Sequence, residues 1–420
     1  LNDSIAHVKG MPSQPREKRE PIREEDVQGL KYFRKLWPLF ERLHEVGCGR
    51  DKAGNRELFM DQYCSLVLLF LFNPCVRSLR ALQQASELKN VQRKLRCGRA
   101  SLGSLSEATD VFDPERLREI IGELAADVRP ARNVAGEHLD QVLSAVDGSV
   151  VKTLSTIAQA AYLKNVHGHS KSAWRLHTHF DIDRGVPTRI DVTSGKNSGK
   201  SDEKNVLRAR LQTDHCYVMD RWYAQFKLFN DINAIGSSYV CRVRDNSRYE
   251  VIEARPLSDA ALAAGVLSDE IVELGMGSPE AKRPDHPVRL IQVRTTPSRP
   301  RGKQLGGKTG PPSDGVLRIA TNLLDVPAEI VAEIYRQRWT IELFFRFFKH
   351  VLGCRHLLST ARVGVEIQTY CAIIACLLLA LWTGGKPTLR TLEMICLYLQ
   401  GWADEEELLT HLKKLKPCVA

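Results

Sequence analysis

The sequence predicts an α/β fold with helical segments at both ends of the chain. Three observations predict it. Apolar residues recur at three- and four-residue spacing through residues 28 to 130, alternate with polar ones from residue 140 onward, and return to helical spacing after Pro327. With 420 residues, 43% hydrophobic and 26% charged, the chain can bury a sizeable core divided over two or three domains. Lys and Arg total 60 against 50 acids, a net charge of +10, which favours an anionic partner, nucleic acid first among them.

Eleven cysteines, odd in number and without paired metal-ligand spacing, read as reduced and mostly buried thiols in a reducing compartment, with no disulfides. The longest apolar runs, "CSLVLLFLF" (64 to 72) and "YCAIIACLLLALW" (370 to 382), are shorter than the roughly 20 residues of a bilayer span, so they read as core helices and no membrane is expected. The first thirty residues are rich in charge and Pro, the mark of a disordered arm and not of a signal peptide. Leu1 in place of Met is consistent with a truncated start or an unusual initiation codon.

In chain order, "LKYFRKLWPLFERLHEV", "RELFMDQYCSLVLLFLF" and "PERLREIIGELAADV" have helical spacing, and "LKNVQRKLRCGRASLGSLSEA" reads as a basic connection between helices. A basic helical domain of this kind suits DNA, and a solvated helical surface suits it equally. "QVLSAVDGSVV" then reads as a short strand ending in Asp147, and "AWRLHTHFDID", the turn "RG" and "PTRIDVTSG" as a hairpin. A helix at "DEKNVLRARLQ" leads to "HCYVMDRWY", a second strand ending in an acid, Asp220, followed by a helix near "AQFKLFNDIN" and a strand "SSYVCRVRD". Strand, hairpin, helix, strand, helix, strand is the element order of a ribonuclease H-like sheet flanked by helices. Residues 246 to 322 interrupt it with short strand-like runs around a Pro/Gly/Lys-rich loop, an inserted β-rich subdomain.

The next helix, expected from Pro327 to Gly353, contains "IYRQRWTIELFFRFFKHVLG", apolar on almost every face yet carrying Tyr335, Arg338, Glu342 and Lys349. Steps of three, four and seven place these four side chains on one stripe roughly 60° wide. An internal salt-bridge network, Arg338 with Glu342, accounts for such a stripe; so does a site for divalent metal and phosphate. The two strand-ending acids favour the second. Asp147 and Asp220 would lie side by side at the centre of the sheet, and a helix packed across that end brings Glu342 to them. Three converging carboxylates repel one another unless Mg²⁺ neutralises them, as in two-metal phosphodiester chemistry.

Asp147, Asp220 and Glu342, the last within Tyr335-x2-Arg338-x3-Glu342-x6-Lys349, resemble the acids of the DDE transposases of bacterial insertion sequences, in the IS-four branch known for that Y-R-E-K signature. "VMDRWY" is similar to the family's second-acid motif, which more often has Gly where this chain has Trp222. The resemblance spans residues 57 to 385 and is weakest in the amino-terminal part.

The resemblance implies that the three acids are catalytic and hold Mg²⁺, with Mn²⁺ as a substitute. It implies double-stranded DNA as partner, both element ends and target, with cleavage at terminal inverted repeats, attack by the freed 3′ hydroxyl and joining to target. Tyr335, Arg338 and Lys349 would contact phosphates, and Arg221 and Trp222, beside the second Asp, are candidates for contacts near the scissile one, with a packed side chain at a strand end the favoured reading of Trp222. A homodimer holding two ends and a bacterial cytoplasmic, nucleoid-associated location follow from the same likeness. Relatives that form hairpins stack a flipped base on a Trp of the β insertion; residues 223 to 338 hold no Trp, leaving Tyr239 or Tyr249 as substitutes.

The expected division is an arm over 1–27, a helical DNA-binding domain over 28–135, a ribonuclease H-like catalytic domain over 136–245 and 323–385, the β-rich insertion over 246–322 and a helical segment over 386–420. "GKNSGKS" (195 to 201) fails as a phosphate-binding P-loop, because three residues separate Gly195 from Gly199 where four are needed, and reads as a basic turn. His167, His169, His177 and His179 lack a Cys partner at zinc-ligand spacing and read as solvent-facing alternation.

Overall fold

A computed structural model describes residues 31–51, 54–73, 75–130, 133–152, 161–164, 170–195, 199–279, 282–295, 314–351, 357–359, 361–383, 388–399 and 401–414. The expected amino-terminal arm, most of the Pro/Gly/Lys-rich loop, His167, His169 and the centre of "GKNSGKS" lie outside the described residues. What is described is a mixed α/β structure around one large sheet.

Among the described residues six helices come first: α1 Lys31–Glu41, α2 Met60–Phe72, α3 Leu79–Ser86, α4 Lys89–Leu95, α5 Leu102–Val111 and α6 Glu115–Asp127. Short serine caps start two of them, Ser78 accepting from the Ala81 amide and Ser101 from the Ser104 amide. The stretch read as a basic connection therefore holds α4 and the start of α5, since a left-handed Arg96 ends one helix and Ser101 begins the next. On α6 the buried residues Leu117, Ile120, Ile121, Leu124 and Ala125 form one stripe.

Ten strands follow, β1 Val142–Lys152, β2 Ala161–Lys164, β3 Ser170–Asp181, β4 Val186–Ser194, β5 His215–Met219, β6 Ser238–Arg242, β7 Tyr249–Ala254, β8 Val266–Leu274, β9 Val288–Arg294 and β10 Val316–Thr321. They pair in the order β2-β3-β1-β5-β6-β10-β9-β8-β7, with β4 also on β3. Among the described strands only β1 with β5 and β5 with β6 run parallel. The strands of the β-rich insertion do not form a sheet of their own; β10 pairs with β6 and the rest extend outward from it. The β3–β4 hairpin closes at Gly185, whose φ of +70° suits glycine and whose amide bonds Asp181 O at 2.8 Å.

Alternating residues feed two cores. Ala145, Val218 and Val240 face one, shared with the helices, while Val146, Tyr217 and Tyr239 face the other. The second is closed by α7 Glu203–Arg208 and α8 Phe226–Ala234, which follow β4 and β5 in the chain. The first is built on α10 Ala328–Gln337, α11 Trp339–Val351 and α12 Arg362–Thr383, with α12 packed against α2, α6 and β4. A short α9, Asp259–Ala263, and two last helices, α13 Leu389–Leu399 and α14 Glu405–Lys414, complete the described elements.

Three expectations need correcting. The apolar run at 370 to 382 belongs to a longer helix, and Arg362–Leu381 has the length and mean hydropathy, 1.9, of a bilayer span; 94% of it, however, is buried within the protein. His177 and His179 are buried, at 4% and 5% exposure, because β3 is flanked by β1 and β4 and covered on that face by α7. The single helix expected after Pro327 is two helices. At their junction the Arg338 amide bonds Tyr335 O and the Ile341 amide bonds Arg338 O, three residues back, while Thr340 Oγ1 takes the Gln337 carbonyl. Nor is it covered all round: Arg336, Trp339, Arg346 and Lys349 are exposed.

Candidate active site

Asp147 is not at a strand end. It lies in the middle of β1, which continues to Lys152 on its pairing with β3 alone. The parallel pairing with β5 stops at Ala145 and Val218, and extending that register by two residues sets Asp147 opposite Asp220, the residue after β5. The sequence reading thus set β1 beside β5, as observed, and erred in ending β1 at Asp147. The Gly148 amide donates to Asp147 Oδ1 at 2.7 Å, and the Trp222 amide to Asp220 Oδ1 at 2.8 Å.

The helix pair brings the third acid. A buried pair on the outer part of the sheet fixes its start: Arg289 is bidentate to Asp269 at 2.7 Å, and its Nη1 also donates to the Leu323 and Val326 carbonyls just before α10. From there α10 carries Tyr335, 9% exposed, to the sheet, and Arg338 follows at the tightened junction. Arg338 Nη2 donates to Glu342 Oε1 at 2.7 Å, and its Nη1 lies 4.0 Å from Asp147 Oδ2. One guanidinium thus links the sheet acid with the helix acid. Lys349 is exposed seven residues further along α11, about 10 Å along the axis.

Electrostatics single out Asp147. Burial pushes its carboxyl up to about 7, with Asp220 and Glu203 pushing the same way and the Gly148 amide and Arg338 opposing. Burial likewise pushes the Tyr335 hydroxyl up to about 12, so it stays a hydrogen-bond donor. A hard divalent cation matches this donor set of carboxylate oxygens short of positive charge. The side chains are not yet gathered around one: among the described residues no three His, Cys, Asp or Glu groups are placed to share a metal, and Arg338 stands between Asp147 and Glu342.

Sequence reasoning missed Glu203. This carboxylate is 6% exposed, ion-paired with Arg175 of β3, and lies so close over Gly148 that a Cβ there would come within 2.5 Å of Glu203 Oε1. The available signal was the glycine directly after Asp147 and an acid opening the helix before Asp220. Of the other aromatic candidates, Tyr239 is fully buried, stacked on Phe229 at 4.2 Å, and Tyr249 lies on β7 at the far edge of the sheet. Neither can receive a base beside the acids. Trp222 is not packed: Tyr223 takes the buried place after Asp220, and Trp222 is left 46% exposed beside exposed Arg221.

Residues 138–378, more than half of the chain, match the family model described as "Transposase DDE domain". The chain belongs to that family. Asp147, Asp220 and Glu342 all fall within the matched DDE domain. It is similar to a "Putative transposase y4zB" of Sinorhizobium fredii, 24% identical over 49% of this chain and 52% of that protein. It is also similar to a "Probable transposase for insertion sequence element IS5377" of Geobacillus stearothermophilus, 26% identical over 51% of this chain and 50% of the other. A "Putative transposase for insertion sequence element IS4SA" of a Synechocystis species is 35% identical over 22% of this chain and 30% of that one. The chain thus spans about half the length of the first two of these relatives. A solved structure, "Cryo-EM structure of piggyBac transposase synaptic complex with hairpin DNA (SNHP)", is similar at a TM-score of 0.44 and 11% identity, covering 94% of this chain and 80% of that one, too distant to support more.

Proposed function

We propose that this chain is a DNA transposase that cuts at the terminal inverted repeats of its own insertion sequence and joins the ends to target DNA, with Asp147, Asp220 and Glu342 as its catalytic acids. The observation that carries this is the nearness of the elements that hold them. The parallel β1–β5 pairing ends two residues short of Asp147 and Asp220, and Arg338, bonded to Glu342, lies 4.0 Å from Asp147. The order β4-β3-β1-β5-β6, with a hairpin on one side of β1 and parallel strands on the other, supports a ribonuclease H-like core. The intact Tyr335, Arg338, Glu342 and Lys349 spacing supports the IS-four branch.

Asp147, Asp220 and Glu342 would hold Mg²⁺ or Mn²⁺, which when bound neutralises the carboxylates and supplies Lewis-acid activation for phosphodiester hydrolysis and strand transfer. The chain's own groups do the rest. With burial pushing its carboxyl up to about 7, Asp147 is only partly ionised near neutral pH, and positive charge favours its full ionisation. Arg338, released from the carboxylates, and Lys349 hold backbone phosphates, and Tyr335 donates its hydroxyl to them. Helices α1 to α6 serve DNA binding, the strands β7 to β10 brace α10, and two copies hold two element ends in a bacterial cytoplasm.

A plasmid carrying the gene with its native flanking DNA, incubated with purified protein and Mg²⁺, tests this reading. Nicks and double-strand breaks at the flanking repeats, absent with Glu342→Gln, are the expected result, and joined products separate a transposase from a nuclease. DNA binding without metal-dependent cleavage by the wild type would refute it.

A further inference from the structure

Glu203 has no part in the proposed chemistry, yet it is a fourth acid beside Asp147. Strand alternation puts Ala145 and Asp147 on the side of α10 and α11, and Val146 and Gly148 on the other, where α7 begins with Glu203. The Glu203 carboxylate fills the space that a side chain at position 148 would take, since a Cβ there would stand 2.5 Å from its Oε1 and 2.6 Å from its Cδ. It thus sits against the backbone of the residue whose amide holds Asp147 Oδ1 at 2.7 Å, and Arg175 of β3 pins it there. Burial is the main cause that pushes both the Asp147 and the Glu203 carboxyls up; Asp220 adds to each, and Glu203 adds to the rise at Asp147. Setting a buried acid among other acids costs stability that an ion pair joining α7 to β3 elsewhere would not cost.

From this we infer that Glu203 is a positioning residue for the divalent cation, a negative charge that acts from the back of the sheet, through the gap at Gly148, to strengthen the hold of Asp147 on the ion. The inference rests on the transposase reading above, in which Asp147 binds metal. A carboxylate behind a metal-binding one attracts a divalent ion in proportion to its double charge, and losing an outer partner of this kind costs about 10- to 100-fold in metal affinity. Arg175 belongs to the same ion pair but carries the opposite sign. That separates the two roles Glu203 could have: a pair that only supports the fold loses the same thing whichever member is removed, whereas a charge acting on the ion is removed by one substitution and unmasked by the other.

The test measures Mn²⁺ binding to the full chain without DNA, from the loss of the free-ion EPR signal, with the melting temperature followed in parallel. Asp147→Asn should abolish the binding that belongs to the acids. Glu203→Gln should weaken it about 10- to 100-fold, whereas Arg175→Gln should bind Mn²⁺ at least as tightly as wild type. Both variants should melt lower, because each leaves a buried charge without this partner. Arg175→Met combined with Glu203→Met leaves no such charge and keeps the fold should a single variant lose it; its Mn²⁺ affinity should still fall below that of wild type. Unchanged affinity in Glu203→Gln, or equal losses in it and Arg175→Gln, overturns this inference alone, as does wild-type affinity in the double variant. A wild type whose Mn²⁺ binding is absent, or survives Asp147→Asn, overturns the metal assignment of the transposase reading with it.

Discussion

Asp147 and Asp191 are neighbours in one sheet with opposite surroundings. Asp191 lies opposite His177 on β3, which in turn lies opposite Gly148, so the two aspartates are one residue apart in register and point to opposite faces. Burial pushes the Asp191 carboxyl up, but Arg189 at 2.7 Å, Arg118 at 3.0 Å and Arg210 at 3.3 Å outweigh it and hold that carboxyl below the usual range. Asp147 has Arg338 at 4.0 Å and two further acids near it, and its carboxyl rises. Arg118 also donates to the Tyr370 hydroxyl on α12, so the Asp191 cluster joins the amino-terminal helices to the sheet. The difference separates a carboxylate built into the fold from one left short of charge for a ligand. It also assigns opposite consequences to the same substitution.

The largest effect expected is on chemistry. Asp147→Asn should lower metal-dependent cleavage by roughly 10³-fold or more, about 4 kcal/mol of barrier, while its melting temperature holds or rises. Asp191→Asn should do the reverse, costing roughly 3–5 kcal/mol in urea unfolding because three guanidinium groups lose their carboxylate. If Asp147→Asn proves the more destabilised of the two, the contrast between them is broken.

Titration sharpens the same contrast. Asp147 ionises near 7 in the folded chain against 3.8 ordinarily, so between these values the folded state binds more protons and stability falls as pH rises through that window. His177 and His179, pushed down to about 4 chiefly by burial, act in the opposite sense: below 6.5 the unfolded chain binds more protons, so stability is lost as pH falls from 6.5 towards 4. Urea melts of wild type and Asp147→Asn at pH 5 and pH 7 without metal should therefore show the variant gaining on wild type at the higher pH. A constant difference between the two pH values would remove the raised ionisation from Asp147.

Much of this was legible in the sequence. Period-two runs and turn residues marked β1, the β3–β4 hairpin, β5 and β6, because alternating burial on a two-faced sheet is written directly into alternating residues. The spacing of Tyr335, Arg338, Glu342 and Lys349 pointed to a candidate site through helical periodicity, but it runs across the junction of two helices, which the spacing does not report. Pairing partners were not written locally. Nothing in "HTH" reports that β1 and β4 would flank it and α7 cover it, so His177 and His179 read as surface residues. The place of Trp222 depended on Tyr223 taking the inner position, a competition between neighbours that composition does not resolve. Glu203 was missed because its partners, Arg175 and Gly148, come from strands far away in the chain.

The smallest effect concerns the far end of the signature stripe. Arg338 is 17% exposed and engaged by two acids, whereas Lys349 is exposed two turns beyond Glu342. A cation already paired with carboxylates contributes little to DNA affinity until it is released; a solvated one displaces counterions as soon as a phosphate reaches it. Lys349→Ala should thus weaken binding of element-end DNA and reduce the slope of log affinity against log salt by about 1. Arg338→Ala, measured without metal, should change that slope less, since the guanidinium begins in an ion pair with Glu342. Equal slope changes for the two would mean that Arg338 leaves its carboxylates on DNA binding alone, and the stripe would then act as one continuous phosphate track from the acids to Lys349.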